Sequence, residues 1–313
     1  MSEAMQRMRP MPDAAVLLAG SAFVDPGDPT GELGNPFAVV LGGDVADWDA
    51  ARRSALARRT GTPETVFIDA FDPAPGDDGW SSIEVAVTVL TPTGEHLGAC
   101  AHGIMGAVRA LADTVSSSGA PHRFKITTST GVRTQALLHP DGAVELGFQA
   151  LEARHVAGCG PAVDEVFGVA VSTAGSLPIL SVGSPKLTVE VPGATLDMLR
   201  ARLDRLDYDR LMSLQRDVGV NGIHVYSRDP ATGLPACAIQ VNAYLGRALV
   251  VDRATGVSHA AQVGGDPAVE PGRRLRIAQY TQAGCSAVIA VTKGHRGQVT
   301  VGGATTLAEP RIV

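Results

Sequence analysis

Thr91-Pro92-Thr93-Gly94-Glu95-His96-Leu97-Gly98-Ala99-Cys100-Ala101-His102-Gly103 joins two segments of different periodicity. Upstream, Val85, Val87 and Val89 alternate with period two and predict a strand over residues 83–90. Downstream, residues 101–115 are alanine-rich and predict a helix, closed by the polar Ser116-Ser117-Ser118-Gly119. A strand that turns through glycine into a helix opens unpaired backbone N–H groups, which bind carboxylates readily. His102 lies in the first turn of that helix, and Pro63-Glu64-Thr65-Val66-Phe67 lies one strand earlier. A carboxylate, an imidazole and a helix N-terminus can therefore meet at one place, which predicts a proton-transfer site acting on a small carboxylic acid.

Working outward, 313 residues that are 45% hydrophobic suffice for two domains, each with its own core. A net charge of -6 excludes the basic footprint of a nucleic-acid binder. Lys125, Lys186 and Lys293 are the only lysines among 26 cations, a composition expected of a GC-rich genome rather than of a binding surface. Cys100, Cys159, Cys237 and Cys285 show no C-x-x-C spacing, so neither a zinc ribbon nor a redox pair is expected. They suit a reducing cytoplasm. No window approaches the roughly 18 apolar residues of a membrane span, and residues 1–12 lack the apolar core of a signal peptide. A soluble, cytoplasmic protein is expected.

The periodicity predicts strands at 15–18, 37–41, 66–68 and 124–127, with a helix over 47–59 capped by Asp47. Residues 133–138 and 143–148 read as a hairpin, 187–191 as a strand, 196–214 as one surface helix or two, and 223–226 with 237–241 as a second hairpin. Strands at 287–291 and 298–301 close the chain. Residues 73–78 form a weak Gly/Pro/Asp loop, and no solenoid repeat is visible. The prediction is an α+β fold of two similar lobes, each a curved, mostly antiparallel sheet wrapped around a central helix, with a cleft between them. The N-terminal lobe spans 13–135, with 298–313 returning to it, and the C-terminal lobe spans 136–297.

A second glycine turn before a helical stretch, Asp252-Arg253-Ala254-Thr255-Gly256-Val257-Ser258, matches the first. Dipoles at such turns stabilise charge spreading onto a carboxylate as its α-proton leaves. Glu64, between apolar segments, is a candidate proton carrier, or else a surface cap; His102 is its partner, or caps its own helix. Asp252 alone reads as an N-cap as readily as an acid. Gly158-Cys159-Gly160-Pro161 lacks the third glycine of a dinucleotide turn and reads as a loop, and no G-x-S-x-G, H-E-x-x-H or P-loop is present. His224 and His295 are isolated and need no role.

At these residues the sequence resembles the phenazine-biosynthesis isomerase-like, or PhzF-like, proteins, which have the diaminopimelate-epimerase fold. Gly34-Asn35-Pro36-Phe37-Ala38-Val39-Val40 is similar to the family's G-N-P-x-A-V-V, and Ala57 to Phe67 to its A-R-E-x-x-x-S-E-T-x-F. Thr91 to His102 is similar to its T-P-x-x-E-L-x-x-x-G-H. Ser181-Val182-Gly183-Ser184-Pro185, the Asp252 turn and Val301-Gly302-Gly303-Ala304 follow in the family's order. The resemblance implies that Glu64 shuttles a proton, that His102 and Asp252 assist, and that Asn35, Ala101, Gly103, Gly256, Val257 and Ser258 bind the substrate. It implies no metal and no organic cofactor, a homodimer, and isomerisation of an unsaturated, cyclic carboxylic or amino acid in antibiotic-type metabolism. Pro63, Ala101 and Val257 depart from the family's serine, glycine and serine, which points to an altered pocket. Asp229-Pro230-Ala231-Thr232-Gly233 matches the second-turn motif more literally, but lies between two strands where it makes good hairpin chemistry. Cys100 stands where related epimerases carry one of two catalytic thiols. The matching second position is Ala254, so a two-thiol racemase is not expected, and Cys100 reads as a small buried residue.

Overall fold

The computed structural model describes residues 12–24, 34–75, 81–115, 122–171, 175–244 and 248–313. The chain divides into two compact units, Met1–Gly147 with Gly302–Val313, and Phe148–Val301.

In the first unit, β1 (Val16–Val24) pairs antiparallel with β2 (Asn35–Leu41). The chain then crosses through α1 (Ala50–Thr60) to β3 (Thr65–Pro75), which runs parallel to β2. β4 (Ser81–Leu90) returns antiparallel to β3. A second crossover, through α2 (Ala101–Val115), leads to β5 (His122–Thr128), parallel to β4, and β6 (Arg133–Leu138) and β7 (Val144–Gln149) follow antiparallel. Parallel neighbours need such crossovers, whereas antiparallel ones need only turns.

Both faces of this sheet are covered. On one side Val40, Phe67 and Leu90 pack with Val45, Trp48, Leu56 and Ala57 around α1. On the other, α2 lies against β1, β2, β3 and β6. Ile104, Met105, Val108 and Leu111 of α2 are all buried, while its Arg109–Asp113 ion pair reaches the surface. Each such side chain contributes about 1.5–3 kcal/mol of burial. Gly106 is required by this packing: a Cβ there would meet the Phe37 ring at 2.3 Å. α1 begins three residues later than the predicted 47, because Asp49 rather than Asp47 accepts the Arg52 N–H, at 2.7 Å; Asp47 lies in a preceding 3-10 turn.

The second unit opens with β8 (Arg154–Ala157), α3 (Gly160–Phe167) and β9 (Ser176–Leu180), β8 and β9 being antiparallel. The loop expected at Gly160-Pro161 instead starts α3, since proline is tolerated in a first helical turn, where its missing N–H costs nothing. β10 (Lys186–Glu190) pairs antiparallel with β9. It connects through α4 (Gly193–Arg200) and α5 (Tyr208–Val218) to the parallel β11 (Ile223–Arg228). The stretch 196–214 is therefore two helices, separated by a 3-10 turn at Leu203–Arg205. β12 (Pro235–Tyr244) and β13 (Ala248–Val251) follow antiparallel, and α6 (Gly256–Gly265) leads to β14 (Arg274–Thr281), parallel to β12. β15 (Gly284–Lys293) returns antiparallel to β14.

The final strands, β16 (Gln298–Leu307) and β17 (Arg311–Ile312), pair with β1 through residues 304–307 and 311–312. Residues 73–75 of the expected Gly/Pro/Asp loop continue β3. The rest of that loop's glycines and aspartates, and Ser116–Gly119, lie outside the described residues.

The two units share a pairing order of antiparallel, parallel, antiparallel, parallel, antiparallel, read from β1 to β6 and from β9 to β15. Gly34-Asn35-Pro36 enters β2 with Gly34 at φ +107, and Gly183-Ser184-Pro185 enters β10 with Gly183 at φ +117. The Ala38 N–H donates to the Glu64 carbonyl at 3.2 Å, as the Leu187 N–H does to Gly222 at 3.1 Å. Position 64 of the first unit thus corresponds to position 222 of the second.

Candidate active site

Glu64 sits immediately before β3, where the chain is held by hydroxyls rather than by chance. Thr60 Oγ1 lies 3.0 Å from both Thr62 Oγ1 and Thr65 Oγ1, and Thr62 Oγ1 donates to the Glu64 carbonyl at 2.9 Å. The loop before α2 is built in the same way. The Glu95 N–H donates to Thr91 Oγ1 at 3.1 Å, and Thr128 Oγ1 donates to the Gly98 carbonyl at 3.2 Å. The Ile104 N–H then donates to the Cys100 carbonyl at 3.0 Å and closes the first helical turn.

These braces bring Glu64 and His102 together. Glu64 Oε2 lies 2.5 Å from His102 Nε2, with side chains only 8% and 5% exposed. Among the described residues, Oε2 has no regular hydrogen-bond partner. On the other side of the ring, the Asn35 amide Nδ2 is 3.1 Å from His102 Nδ1. The amide can donate to a neutral ring or, turned over, accept from a protonated one, and so serves either charge state. Cys100 Sγ is 3.7 and 3.8 Å from the two ring nitrogens.

Burial opposes a positive ring, but the Glu64 carboxylate beside it outweighs this, so His102 titrates above the usual histidine range. Burial pushes the Cys100 thiol up, so it is protonated at neutral pH. A carboxylate touching a protonated imidazole in a dry setting can exchange a proton with it and present one to a substrate. Ala101 is buried in the first turn, and Gly103 admits no side chain: its Cβ would lie 2.8 Å from Val66 and 3.0 Å from Cys100 Sγ.

The other predicted residues belong to the second unit. Asp252 caps neither helix end. Its Oδ1 accepts the Ala254 N–H at 3.1 Å and its Oδ2 accepts from Gln240 Nε2 at 3.2 Å, while the residue before α6 is Thr255. Gly256 and Val257 are buried. Ser258 is buried too, with its hydroxyl engaged: it accepts from Thr255 Oγ1 at 2.9 Å and donates to Gln240 Oε1. Asp229 is half-buried and builds the β11–β12 hairpin turn, accepting from the Ala231 and Thr232 N–H groups at 2.8 and 2.9 Å.

Sequence reasoning missed the polar layer beneath α6. His224 Nε2 lies 3.0 Å from Gln262 Oε1, and His259 Nε2 lies 2.9 Å from Gln279 Oε1. Gln279 Nε2 donates to the Asp252 carbonyl at 3.0 Å. Lys186 Nζ donates to the Asn221 carbonyl at 2.9 Å and to Asn242 Oδ1 at 3.3 Å. Burial holds both rings neutral and lowers His224 to about 3 and His259 to about 4.

No protein-family model matches the chain, and no curated protein matches it. Solved structures do. A predicted epimerase from Pseudomonas aeruginosa is 20% identical and superposes with a TM-score of 0.69, covering 96% of this chain and 99% of that one. A PhzF-family phenazine biosynthesis protein of Bacillus anthracis is 16% identical, with a TM-score of 0.68 over 96% and 99%. This chain has the PhzF-like, diaminopimelate-epimerase-like fold. A hydroxyproline epimerase from Agrobacterium vitis, with bound trans-4-hydroxy-L-proline, shares the PhzF-like fold at 16% identity and a TM-score of 0.59, over 98% of this chain and 92% of that one. Among the described residues, no helix of this chain is long and apolar enough to cross a membrane.

Proposed function

We propose that the protein is a cofactor-free isomerase that moves a proton, and with it a double bond, in a small unsaturated, cyclic carboxylic or amino acid of antibiotic-type secondary metabolism. The observation that carries this reading is the buried 2.5 Å approach of Glu64 to His102 at the start of α2. Glu64 takes the proton from one carbon and returns it to another. His102, held by Asn35, sets the charge of the pair and assists the transfer. Backbone N–H groups at Ala101 and Gly103 favour negative charge as it spreads onto the substrate carboxylate. Asp252, Gly256, Val257 and Ser258 are assigned to substrate binding by resemblance, as are a homodimeric state and a cytoplasmic location. The PhzF-family and epimerase descriptions of the structural neighbours agree with a proton-transfer chemistry.

A second reading is an amino-acid epimerase, favoured by the placement of Cys100 beside His102 and by the hydroxyproline epimerase among the neighbours. Against a two-thiol version, the residues before α6 are Ala254 and Thr255. Candidate substrates incubated in deuterated water separate the readings. Label in a shifted double bond, lost in Glu64→Gln and kept in Cys100→Ala, supports the isomerase. Label at an inverted stereocentre, lost in Cys100→Ala, replaces it with the epimerase. Binding without label for every candidate means a silent, carboxylate-binding relative.

A further inference from the structure

The proton-transfer reading leaves Cys100 without work, yet its thiol shares a pocket with two other strong ligand groups. A carboxylate oxygen of Glu64, Sγ of Cys100 and a ring nitrogen of His102 all lie within 4.8 Å of one another, and all three residues are buried. We propose that these side chains form a binding site for a thiophilic divalent ion such as Zn2+, and that occupying it switches off proton transfer.

The donor set selects the metal. Thiolate with imidazole and one carboxylate suits zinc and its neighbours, not the hard ions magnesium and calcium, which take all-oxygen shells. Zinc holds sulfur at about 2.3 Å and nitrogen or oxygen at about 2.0–2.2 Å, so tetrahedral ligand atoms lie roughly 3.3–3.8 Å apart. The Cys100 to His102 separations, 3.7 and 3.8 Å, already fit. The Glu64 to His102 separation, 2.5 Å, has to open by about 1 Å, within reach of rotation about the Glu64 side-chain bonds. Among the described residues, nothing holds that oxygen in a regular hydrogen bond, although it is buried. The fourth position stays open for water or a substrate carboxylate.

Ligation rests on geometry alone; only its consequence, loss of proton transfer, rests on the isomerase reading. The test therefore uses binding and not turnover. Chelator-treated full-length protein is titrated with Zn2+ against a chromophoric chelator, and with Co2+ while near-ultraviolet absorption is followed. About one ion per chain and a thiolate-to-cobalt band are expected. Cys100→Ser should abolish the band and weaken Zn2+ binding at least a hundredfold, and Glu64→Gln should weaken it at least tenfold. The Cys237→Ser/Cys285→Ser variant keeps Cys100 and should keep the band, even if the Cys100 variants fail to fold. A wild type without the band, or Zn2+ held equally well by folded Cys100→Ser, overturns the proposal. Loss of the band in Cys237→Ser/Cys285→Ser does so as well.

Discussion

The two units repeat one plan and fill it in opposite ways. In the first, the sheet face beneath α2 is apolar, with Phe37 and Val66, and a charged pair stands at its end, Glu64 with His102. In the second, the matched strand positions carry Lys186 and His224, and the place of Glu64 is taken by Gly222. One unit concentrates ionisable chemistry at a single point over a dry floor. The other spreads hydrogen bonding across its floor and leaves that point bare. A repeated framework can thus carry different side-chain chemistry, because position is set by backbone pairing while chemistry is set by a few side chains.

Acid should break the symmetry most strongly. His224 and His259 are lowered to about 3 and 4, so the unfolded chain binds protons first as pH falls below about 6.5. Their contribution is present at neutral pH and lost on acidification, by on the order of 5 kcal/mol at pH 4 if the two effects add. His102 has the opposite sign: its pKa is raised, so its contribution is complete below about pH 6.5 and is lost as pH climbs through the raised value. Lys186, which also disfavours charge on His224, adds to the acid sensitivity of the second unit. Hydrogen exchange at pH 4 should show β11 and α6 opening before α2. Simultaneous opening, or α2 first, contradicts the contrast.

The next effect is catalytic. Glu64→Gln should lower deuterium uptake into a turned-over substrate by about 10²–10⁴-fold, the usual worth of a positioned acid or base. A mass-spectrometric assay showing undiminished uptake would remove the first unit's claim to the chemistry.

Gly222→Ala probes the bare position. Its φ of +148 calls for glycine, and a Cβ added there would lie only 2.6 Å from the Val241 carbonyl, besides its approach to Asn242. A loss of about 2–4 kcal/mol is expected in denaturant unfolding. Smallest is Ser258→Ala, which leaves Gln240 Oε1 without its donor and should cost about 1–2 kcal/mol. A neutral result would mean that the layer beneath α6 relaxes freely.

Much of the first unit was legible because its signals are local. The period-two run into α2, the glycine turn and the Pro-Glu-Thr before β3 are each contiguous, and the structure brings Glu64 and His102 into contact. The layer beneath α6 was not legible. In β12, Gln240 and Asn242 alternate with Ile239 and Val241, a pattern that ordinarily marks a solvent face. Here Ile239 and Val241 pack with the cluster that includes α3, α4 and α5, and the polar side is covered as well, so Gln240 and Asn242 are buried. His224 misled for the same reason: an isolated histidine on an alternating strand gives no hint that Gln262, thirty-eight residues on, will meet it. The start of α3 was hidden by Gly-Pro, which serves loops and first helical turns alike.

The Phe37 ring resting on bare Gly106 gives α2 a mechanical stop. Gly106 lies one turn past His102, so the ring fixes how far the helix can slide along its own axis. The separation of Glu64 from His102 is then gauged by an uncharged phenylalanine. Trimming that ring would detune the donor and acceptor while leaving every polar atom of the pair in place.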